Sequence, residues 1–339
     1  MILSLIASND SITMNPPYDI TSSILKSITS ISEKIGEVNA NFLNKPSPQL
    51  RKQNKIKTIY SSLKIEGNTL TEKQITALLE NKRVIGPKKD VKEVLNAIDI
   101  YKRLETYDPF DEKAFLKAHK NLMADLISLA GKYRNQSVGI VKGENVEHFA
   151  PPFKNVPYLM KDLFKYLKDS EEIILIKSCV FHYEMEFIHP FLDGNGRMGR
   201  LWQTFILMQQ YPVFEYLSFE TLISKDQEKY YKALSESDKS GKSTKFIEYM
   251  LEVIDISISG LLDFNNRTLN EKDRIEYFVS LNKNEFTRKD YMDVFKDISS
   301  ATASRDLKSG VEMNIFEKIG EKNKTKYRIK PGTTSLTSK

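Results

Sequence analysis

The sequence predicts a mainly α protein that carries a β-hairpin flap and ends in a small α+β domain. Apolar residues recur at helical spacing through most of the chain, as at Ile20, Ile24 and Ile28. Residues 131–152 interrupt that spacing with glycines, alternating apolar positions and a Pro-Pro pair, which is typical of a hairpin. Residues 271–339 differ in composition and hold 15 Lys and Arg against 11 Asp and Glu.

The predicted helices succeed one another with short connections. Gly67 and Asn68 end the second helix, and Thr71 with Gln74 forms a capping-box pattern that opens the next one. In chain order the main predicted helices cover residues 18–42, 50–65, 90–104, 111–129, 156–167, 171–188, 197–210, 227–234 and 245–264.

Length and composition limit the possible classes of protein. A chain of 339 residues suggests about two domains. We divide it into an N-terminal helical region (1–82), a core (83–265) and a small terminal domain (271–332). The single cysteine, Cys179, excludes an internal disulfide and fits a cytoplasmic protein. No apolar run approaches the roughly 18 residues of a membrane span, and the first seven residues make a poor signal peptide.

The segment from His189 to Arg200 has the residues of an anion-binding loop. Because Pro190 disfavours helical backbone before it, the preceding helix should end at His189. Gly194 and Gly196 can adopt positive φ, so backbone N–H groups around them can turn inward and form a nest for an anion.

Charged side chains extend this loop. Arg197 and Arg200 lie three residues apart, which places both on the first turn of the following helix. Two guanidinium groups beside a helix N-terminus suit a polyphosphate. Asp193 offers oxygen ligands of the kind that phosphate-bound Mg²⁺ takes.

The same twelve residues resemble the catalytic loop of the Fic family, His-x-Phe-x-Asp/Glu-Gly-Asn-Gly-Arg-x-x-Arg, at all eight specified positions. The resemblance implies a helical Fic core and AMP transfer from ATP to a protein hydroxyl. It makes His189 the general base, Asp193 the ligand of Mg²⁺ (or Mn²⁺), and Phe191 an inward anchor of the loop. The implied ATP-binding residues are Gly194, Asn195, Gly196, Arg197, Met198, Gly199 and Arg200.

Weaker similarities extend the resemblance to about residues 55–265. Gly131, Tyr133 and Arg134 resemble the segment before the family's flap, which aligns a target protein by strand-like pairing. Tyr230 resembles a residue near the family's adenine pocket, although ordinary packing explains it equally well. The implied target-docking residues are Val138, Gly139, Ile140 and Val141.

A second pattern resembles the family's inhibitory helix, Ser/Thr-x-x-x-Glu-Gly/Asn. It consists of Ser62, Glu66, Gly67 and Asn68 at the end of a helix over about 50–67. The resemblance implies that Glu66 pairs with Arg200 and removes the partner of the ATP γ-phosphate. In some members the same glutamate assists removal of AMP, so the direction of the reaction stays open.

Residues 271–332 resemble a winged-helix domain. Three short helices precede a possible two-stranded wing over 316–329, with Ser299 or Ser300 capping the third helix and Leu307 facing inward. Basic residues cluster in the wing, which gives a reason to consider DNA as a partner. A solvated charged hairpin or a protein-docking domain explains them as well. The clustered cations are Lys318, Lys322, Lys324, Lys326, Arg328 and Lys330.

Other functions remain open at this stage. Fic relatives include enzymes that transfer phosphate or phosphocholine. UTP or GTP as the donor also stays open, since the sequence does not place the residues that select the base. A DNA-binding regulator whose Fic core only senses nucleotide is a further alternative. Family members include homodimers, and self-modification is expected. His119, His148, His182 and His189 lack zinc-site spacing, so we predict no zinc site and interpret His182 as a packed histidine.

Overall fold

The computed structural model describes residues 16–41, 48–142, 145–266, 271–280, 285–295, 298–320 and 325–330. The chain forms two compact units, Met1–Leu262 and Asp263–Lys339. The finer division of the first unit at residue 82 stays a prediction.

The first unit is built almost entirely from helices, so the predicted mainly α class is confirmed. Its helices are α1 (Ser22–Asn41), α2 (Pro48–Ile65), α3 (Glu72–Leu79), α4 (Lys88–Lys102), α5 (Glu112–Leu122), α6 (Val156–Asp169), α7 (Ile174–Ile188), α8 (Asn195–Met208), α9 (Glu220–Lys225), α10 (Gln227–Ser240) and α11 (Thr244–Asn266). Short 3₁₀ turns lie at Leu104–Thr106, Phe153–Asn155 and Pro212–Tyr216.

Helix α7 occupies the centre of this unit. It is apolar on nearly all sides, and even its Ser178 and His182 are fully buried. A helix that is apolar all round has to lie inside the core. Helix α8 packs against α7, and the buried Gln203 side chain of α8 lies within hydrogen-bond distance (2.6 Å) of His182 in α7. The two helices therefore hold the segment between them, 189–194, on a rigid base.

A β-hairpin projects from the helical unit between α5 and α6. Strand β1 (Gly139–Lys142) pairs antiparallel with β2 (Asn145–Phe149), and the register shifts between Ile140 and Val141. Val138, just before β1, is half-buried. The strands fall inside the predicted hairpin region of 131–152.

Helix α5 is shorter than predicted. It ends at Leu122 rather than near residue 129. The Asn96 side chain of α4 donates hydrogen bonds to the carbonyl oxygens of Leu122 (3.1 Å) and Ala124 (2.8 Å), and Asp125 has a positive φ of 60°. A tertiary contact thus satisfies carbonyl groups at the helix end, which the local apolar spacing cannot reveal.

The second unit contains α12 (Glu271–Ser280), α13 (Arg288–Val294) and α14 (Ser300–Glu312). Strands β3 (Glu285–Phe286), β4 (Phe316–Ile319) and β5 (Lys326–Ile329) form an antiparallel sheet in the order β3-β5-β4. The wing strands lie where the sequence predicted them, whereas β3 was not predicted.

The predicted caps and inward positions of this unit agree with the structure. Ser299 caps α14 by accepting a hydrogen bond from the Thr302 N–H, and Leu307 is fully buried. Asp306, also buried, accepts two hydrogen bonds from Arg274 at 2.6 and 2.8 Å. Of the predicted wing cations, Lys322 and Lys324 lie outside the described residues.

Among the helices that the structure describes, none combines the length and apolar character that crossing a membrane requires.

Candidate active site

The candidate site begins where α7 ends. His189 caps this helix in the left-handed region (φ 51°, ψ 59°), and its N–H donates to the Met185 carbonyl at 3.0 Å. The sequence predicted this helix end from Pro190. The backbone reversal brings the half-buried imidazole to the rim of a pocket.

Phe191 and Asn195 fix the loop from beneath. The Asn195 side chain accepts a hydrogen bond from the Phe191 N–H and donates one to its carbonyl, each at 2.9 Å. Phe191 is fully buried and stacks on His119, with ring centroids 3.5 Å apart. The Asn195 side chain therefore holds the shape of the loop.

The two glycines of the loop differ in their conformation. Gly194 has φ of 89°, and a Cβ there would approach the Met123 sulfur to 2.8 Å. Gly196 lies inside α8 and does not use the positive φ that glycine allows. A Cβ on Gly196 would lie 2.5 Å from Glu66 Oε1, so a larger residue there would displace the Glu66 carboxylate.

Two carboxylates share Arg197 at the start of α8. Its Nη2 donates to Asp193 Oδ1 at 2.6 Å, and its Nη1 donates to Glu93 Oε1 at 3.2 Å. Arg197 and Glu93 are buried, whereas the Asp193 side chain is 42% exposed. The sequence did not predict Glu93, which lies 104 residues before Arg197.

Arg200 is held by the end of α2. Its Nη2 donates to Glu66 Oε1 at 2.6 Å, and its Nε donates to Ser62 Oγ at 3.1 Å. The guanidinium is almost completely buried. Burial would lower its pKa, but the Glu66 carboxylate together with Tyr230 and Glu186 raises the pKa above its usual value. The turn continues through Gly67, with φ of 85°, to Asn68.

A cavity of about 250 Å³ opens beside this pair. Its lining residues are Glu66, Glu186, Phe187, His189, Gly196, Arg200, Tyr230, Tyr231, Leu234, Ser235 and Asp238. The predicted base, one predicted glycine, one predicted arginine and Tyr230 thus meet at one cavity. The same cavity contains the predicted inhibitory glutamate.

Two of the predicted ATP-binding residues, Met198 and Gly199, face the protein interior. Met198 is fully buried, and a Cβ on Gly199 would lie 2.7 Å from the His182 ring. The buried Tyr230 hydroxyl lies 3.0 Å from His182 Nε2. Burial lowers the pKa of His182 to about 3, so this histidine is neutral and serves packing, as the sequence predicted.

His119 supports the loop, and the sequence analysis assigned it no role. Its Nδ1 accepts a hydrogen bond from the Gly131 N–H at 2.9 Å, and its Nε2 lies 3.0 Å from the Asp193 carbonyl oxygen. With Nδ1 accepting, the neutral ring carries its proton on Nε2 and donates it to Asp193. Burial lowers the pKa of His119 to about 4, which keeps the ring in this neutral form near pH 7.

Arg134 joins the loop to the base of the hairpin. This buried side chain donates to the carbonyl oxygens of His189 (2.8 Å), Gln136 (3.0 Å) and Pro151 (2.5 Å). Its own N–H donates to the Pro190 carbonyl at 2.8 Å. One residue therefore fixes the backbone of His189 and both ends of the flap.

Replacing Arg134 by alanine should leave these buried carbonyl groups without donors. We expect Arg134→Ala to lower the free energy of unfolding by about 3 kcal/mol, measured by urea denaturation. Arg134→Lys should recover little of the loss, because one ammonium cannot span the diverging carbonyls. Lys132→Ala, an exposed neighbour, is the control and should change stability by less than about 0.5 kcal/mol. An Arg134→Ala protein as stable as wild type would contradict this role.

The family model of the Fic/DOC family matches residues 109–207 of the chain. The solved structure of a Fic family protein from Desulfovibrio desulfuricans G20 is 36% identical in sequence. The match covers 95% of this chain and all of that one, with a TM-score of 0.73. The chain belongs to the Fic/DOC family.

Curated relatives carry the same family name. A protein adenylyltransferase Fic of Nematostella vectensis is 27% identical over 248 residues, which are 68% of this chain and 55% of the relative. Protein adenylyltransferase fic-1 of Caenorhabditis elegans is 29% identical over 165 residues, 44% of this chain and 31% of the relative. This Fic chain therefore spans about half or less of the length of these curated relatives.

Proposed function

We propose that this Fic protein transfers AMP from ATP to a Tyr, Thr or Ser hydroxyl of a target protein and of itself. The meeting of His189, the α8 N-terminus and Arg200 at one cavity carries the proposal. The first N–H groups of a helix lack intrahelical partners and favour anions, and the guanidinium adds a full positive charge. The relatives named protein adenylyltransferases support ATP as donor.

In this mechanism His189 takes the proton of the target hydroxyl as its oxygen attacks the α-phosphorus of ATP. The bond to the β-phosphate bridging oxygen breaks in line, pyrophosphate leaves, and the target carries an AMP ester. Backbone N–H groups of 194–196 bind the α- and β-phosphates, and Arg197 and Arg200 bind the β- and γ-phosphates. Positioning and charge stabilisation supply the rate, with no covalent enzyme intermediate.

The residues present fit a magnesium ion that arrives with the nucleotide. Within the described part of the chain, no three His, Cys, Asp or Glu side chains gather into a metal site. Asp193 is one partly exposed carboxylate at the mouth of the loop, which suits an ion otherwise held by phosphates and water. Bound there, Mg²⁺ (or Mn²⁺) would neutralise phosphate charge in the transition state.

We further propose that α2 inhibits this activity within the same chain. Arg200 is occupied by Glu66 and Ser62, so the γ-phosphate lacks its partner and the α-phosphate is misaligned. With Glu66 next to His189 in the cavity, we also propose that the glutamate assists AMP removal when the modified hydroxyl is bound.

The hairpin is the proposed docking site of the target. Strand β1 begins five residues after Arg134, which anchors the flap base to the backbone of His189. An extended target segment that pairs with this hairpin would be held in register with the base.

For the second unit we propose a winged helix, with α14 as its recognition-type helix. Its wing cation Arg328 pairs with Glu285 at 2.6 Å and lies 3.9 Å from Glu317. These pairs reduce the positive potential that DNA would meet, so we favour protein docking over DNA binding. DNA as a partner, the homodimer and the cytoplasmic location stay predictions. Loss of a gel shift on substitution of Lys324 and Lys326 would favour DNA.

Labelled ATP tests the transfer reaction. The Glu66→Gly variant with Mg²⁺ should acquire label from α-³²P-ATP and none from γ-³²P-ATP, since pyrophosphate carries the γ-phosphate away. EDTA should abolish the labelling. Label from γ-³²P-ATP would indicate phosphate transfer instead. Label from α-³²P-UTP or α-³²P-GTP, but none from ATP, would identify a different donor nucleotide. No label from any of these nucleotides would favour the alternative of a DNA-binding regulator whose Fic core only senses nucleotide.

A further inference from the structure

Glu93 of α4 is a buried carboxylate between the phosphate-binding loop and the turn after α2. It is 6% exposed. Its Oε1 accepts a hydrogen bond from Arg197 Nη1 at 3.2 Å, and its Oε2 accepts one from Asn68 Nδ2 at 2.8 Å. Lys89 approaches it only to 3.9 Å and is largely exposed. Arg197 and Asn68 are therefore its close partners.

Arg197 depends on this carboxylate if Asp193 binds a cation. In the structure the guanidinium is shared by Glu93 and Asp193. A magnesium ion on Asp193 would neutralise part of the negative charge that now faces Arg197. A buried arginine that loses its only anionic partner is strongly destabilised. Glu93 gives Arg197 a second anionic partner that such an ion would leave unaffected.

Asn68 fixes Glu93 to the inhibitory turn. Its Oδ1 accepts from the Leu70 N–H at 3.1 Å, and its Nδ2 also donates to the Asp90 carbonyl at 3.1 Å. These contacts hold the amide in one orientation. The turn that presents Glu66 to Arg200 thus also orients the carboxylate that holds Arg197.

We propose that Glu93 is a positioning residue for the nucleotide: it holds Arg197 in its phosphate-binding orientation and is itself oriented by Asn68. The inference rests on the proposed function, since that function makes Arg197 a phosphate ligand. The turn after α2 would then have two roles. Its Glu66 occupies Arg200, and its Asn68 orients Glu93, which holds Arg197.

A binding measurement separates positioning from catalysis. The background is the full-length Glu66→Gly/His189→Ala protein, which has no inhibitory carboxylate and no base. We expect Glu93→Gln to weaken Mg²⁺-ATP binding by about five- to tenfold in titration calorimetry. Asn68→Ala should weaken it by about two- to threefold. Glu248→Gln is the matched control, because Glu248 also accepts a side-chain hydrogen bond and an ion pair, and it should leave the Kd unchanged.

A double-mutant cycle tests whether Glu93 acts through Arg197. In an Arg197→Ala background, Glu93→Gln should change the Kd by less than about twofold, because the group that it positions is gone. A merely structural effect would persist there. If Glu93→Gln folds poorly, Glu93→Asp keeps the charge at a shorter reach and should weaken binding by an intermediate factor that also vanishes without Arg197.

Three results would overturn the assignment. An unchanged Kd in Glu93→Gln, or a weakening that persists without Arg197, removes the positioning role while the proposed function stands. Absence of ATP binding already in the background variant would overturn the proposed function, and the role of Glu93 with it.

Discussion

The Glu66→Gly variant should transfer AMP at least about ten times faster than wild type, most visibly to itself. Removing the carboxylate frees Arg200 from its 2.6 Å pair and opens space beside Gly196. Each factor of ten corresponds to about 1.4 kcal/mol of activation free energy. A buried arginine that regains an anionic partner in the γ-phosphate can readily supply this amount. The measurement is the initial rate of α-³²P incorporation at saturating ATP and Mg²⁺.

Two comparisons make this test specific. Glu72→Gly removes an exposed glutamate six residues away and should leave the rate at the wild-type level. Glu66→Gln keeps the shape of the side chain without its charge, so it should activate less than Glu66→Gly. No gain in a folded Glu66→Gly protein would refute the inhibitory role of α2.

His189→Ala in the Glu66→Gly background should lower the transfer rate by about 10²–10⁴-fold, the usual contribution of a general base. The ATP affinity should stay within about twofold, because the proposed phosphate ligands are the N-terminus of α8 and its arginines. Transfer rate and nucleotide Kd, measured on the same preparation, separate the two effects.

The backbone at His189 requires a control. A left-handed φ of 51° is tolerated by asparagine better than by alanine, so His189→Asn serves as a second base-deleted variant. It should be as inactive as His189→Ala and at least as stable. A His189→Asn protein that retains more than about a tenth of the rate would exclude His189 as the base.

Local sequence rules predicted the loop and the elements around it. The stop at Pro190 depends on a clash between adjacent residues, and the cap at Thr71 depends on residues three apart. Such rules act within one or two turns of chain. They fail where a distant side chain intervenes, as at the end of α5, where Asn96 of α4 takes the carbonyl groups.

The residues that support the site likewise depend on contacts between distant parts of the chain. Glu93 lies 104 residues before Arg197, His119 lies 74 before Asp193, and Arg134 lies 55 before His189. No spacing rule connects residues so far apart. Histidine and arginine side chains are polar, and only the fold shows that His119 and Arg134 are buried.

By itself, the sequence determined the helical class, the loop between α7 and α8 and the predicted inhibitory pattern at the end of α2. Each of these depends on residues that are close together in the sequence. The resemblance implied that Glu66 pairs with Arg200, and the structure shows this pair at 2.6 Å. Only the tertiary structure decided that Gly196 lies in helical backbone close to the Glu66 carboxylate. It also decided that Glu93 and Asp193 share Arg197. The physical reason is burial: charged groups removed from water need partners, and folding alone determines which ones are within reach.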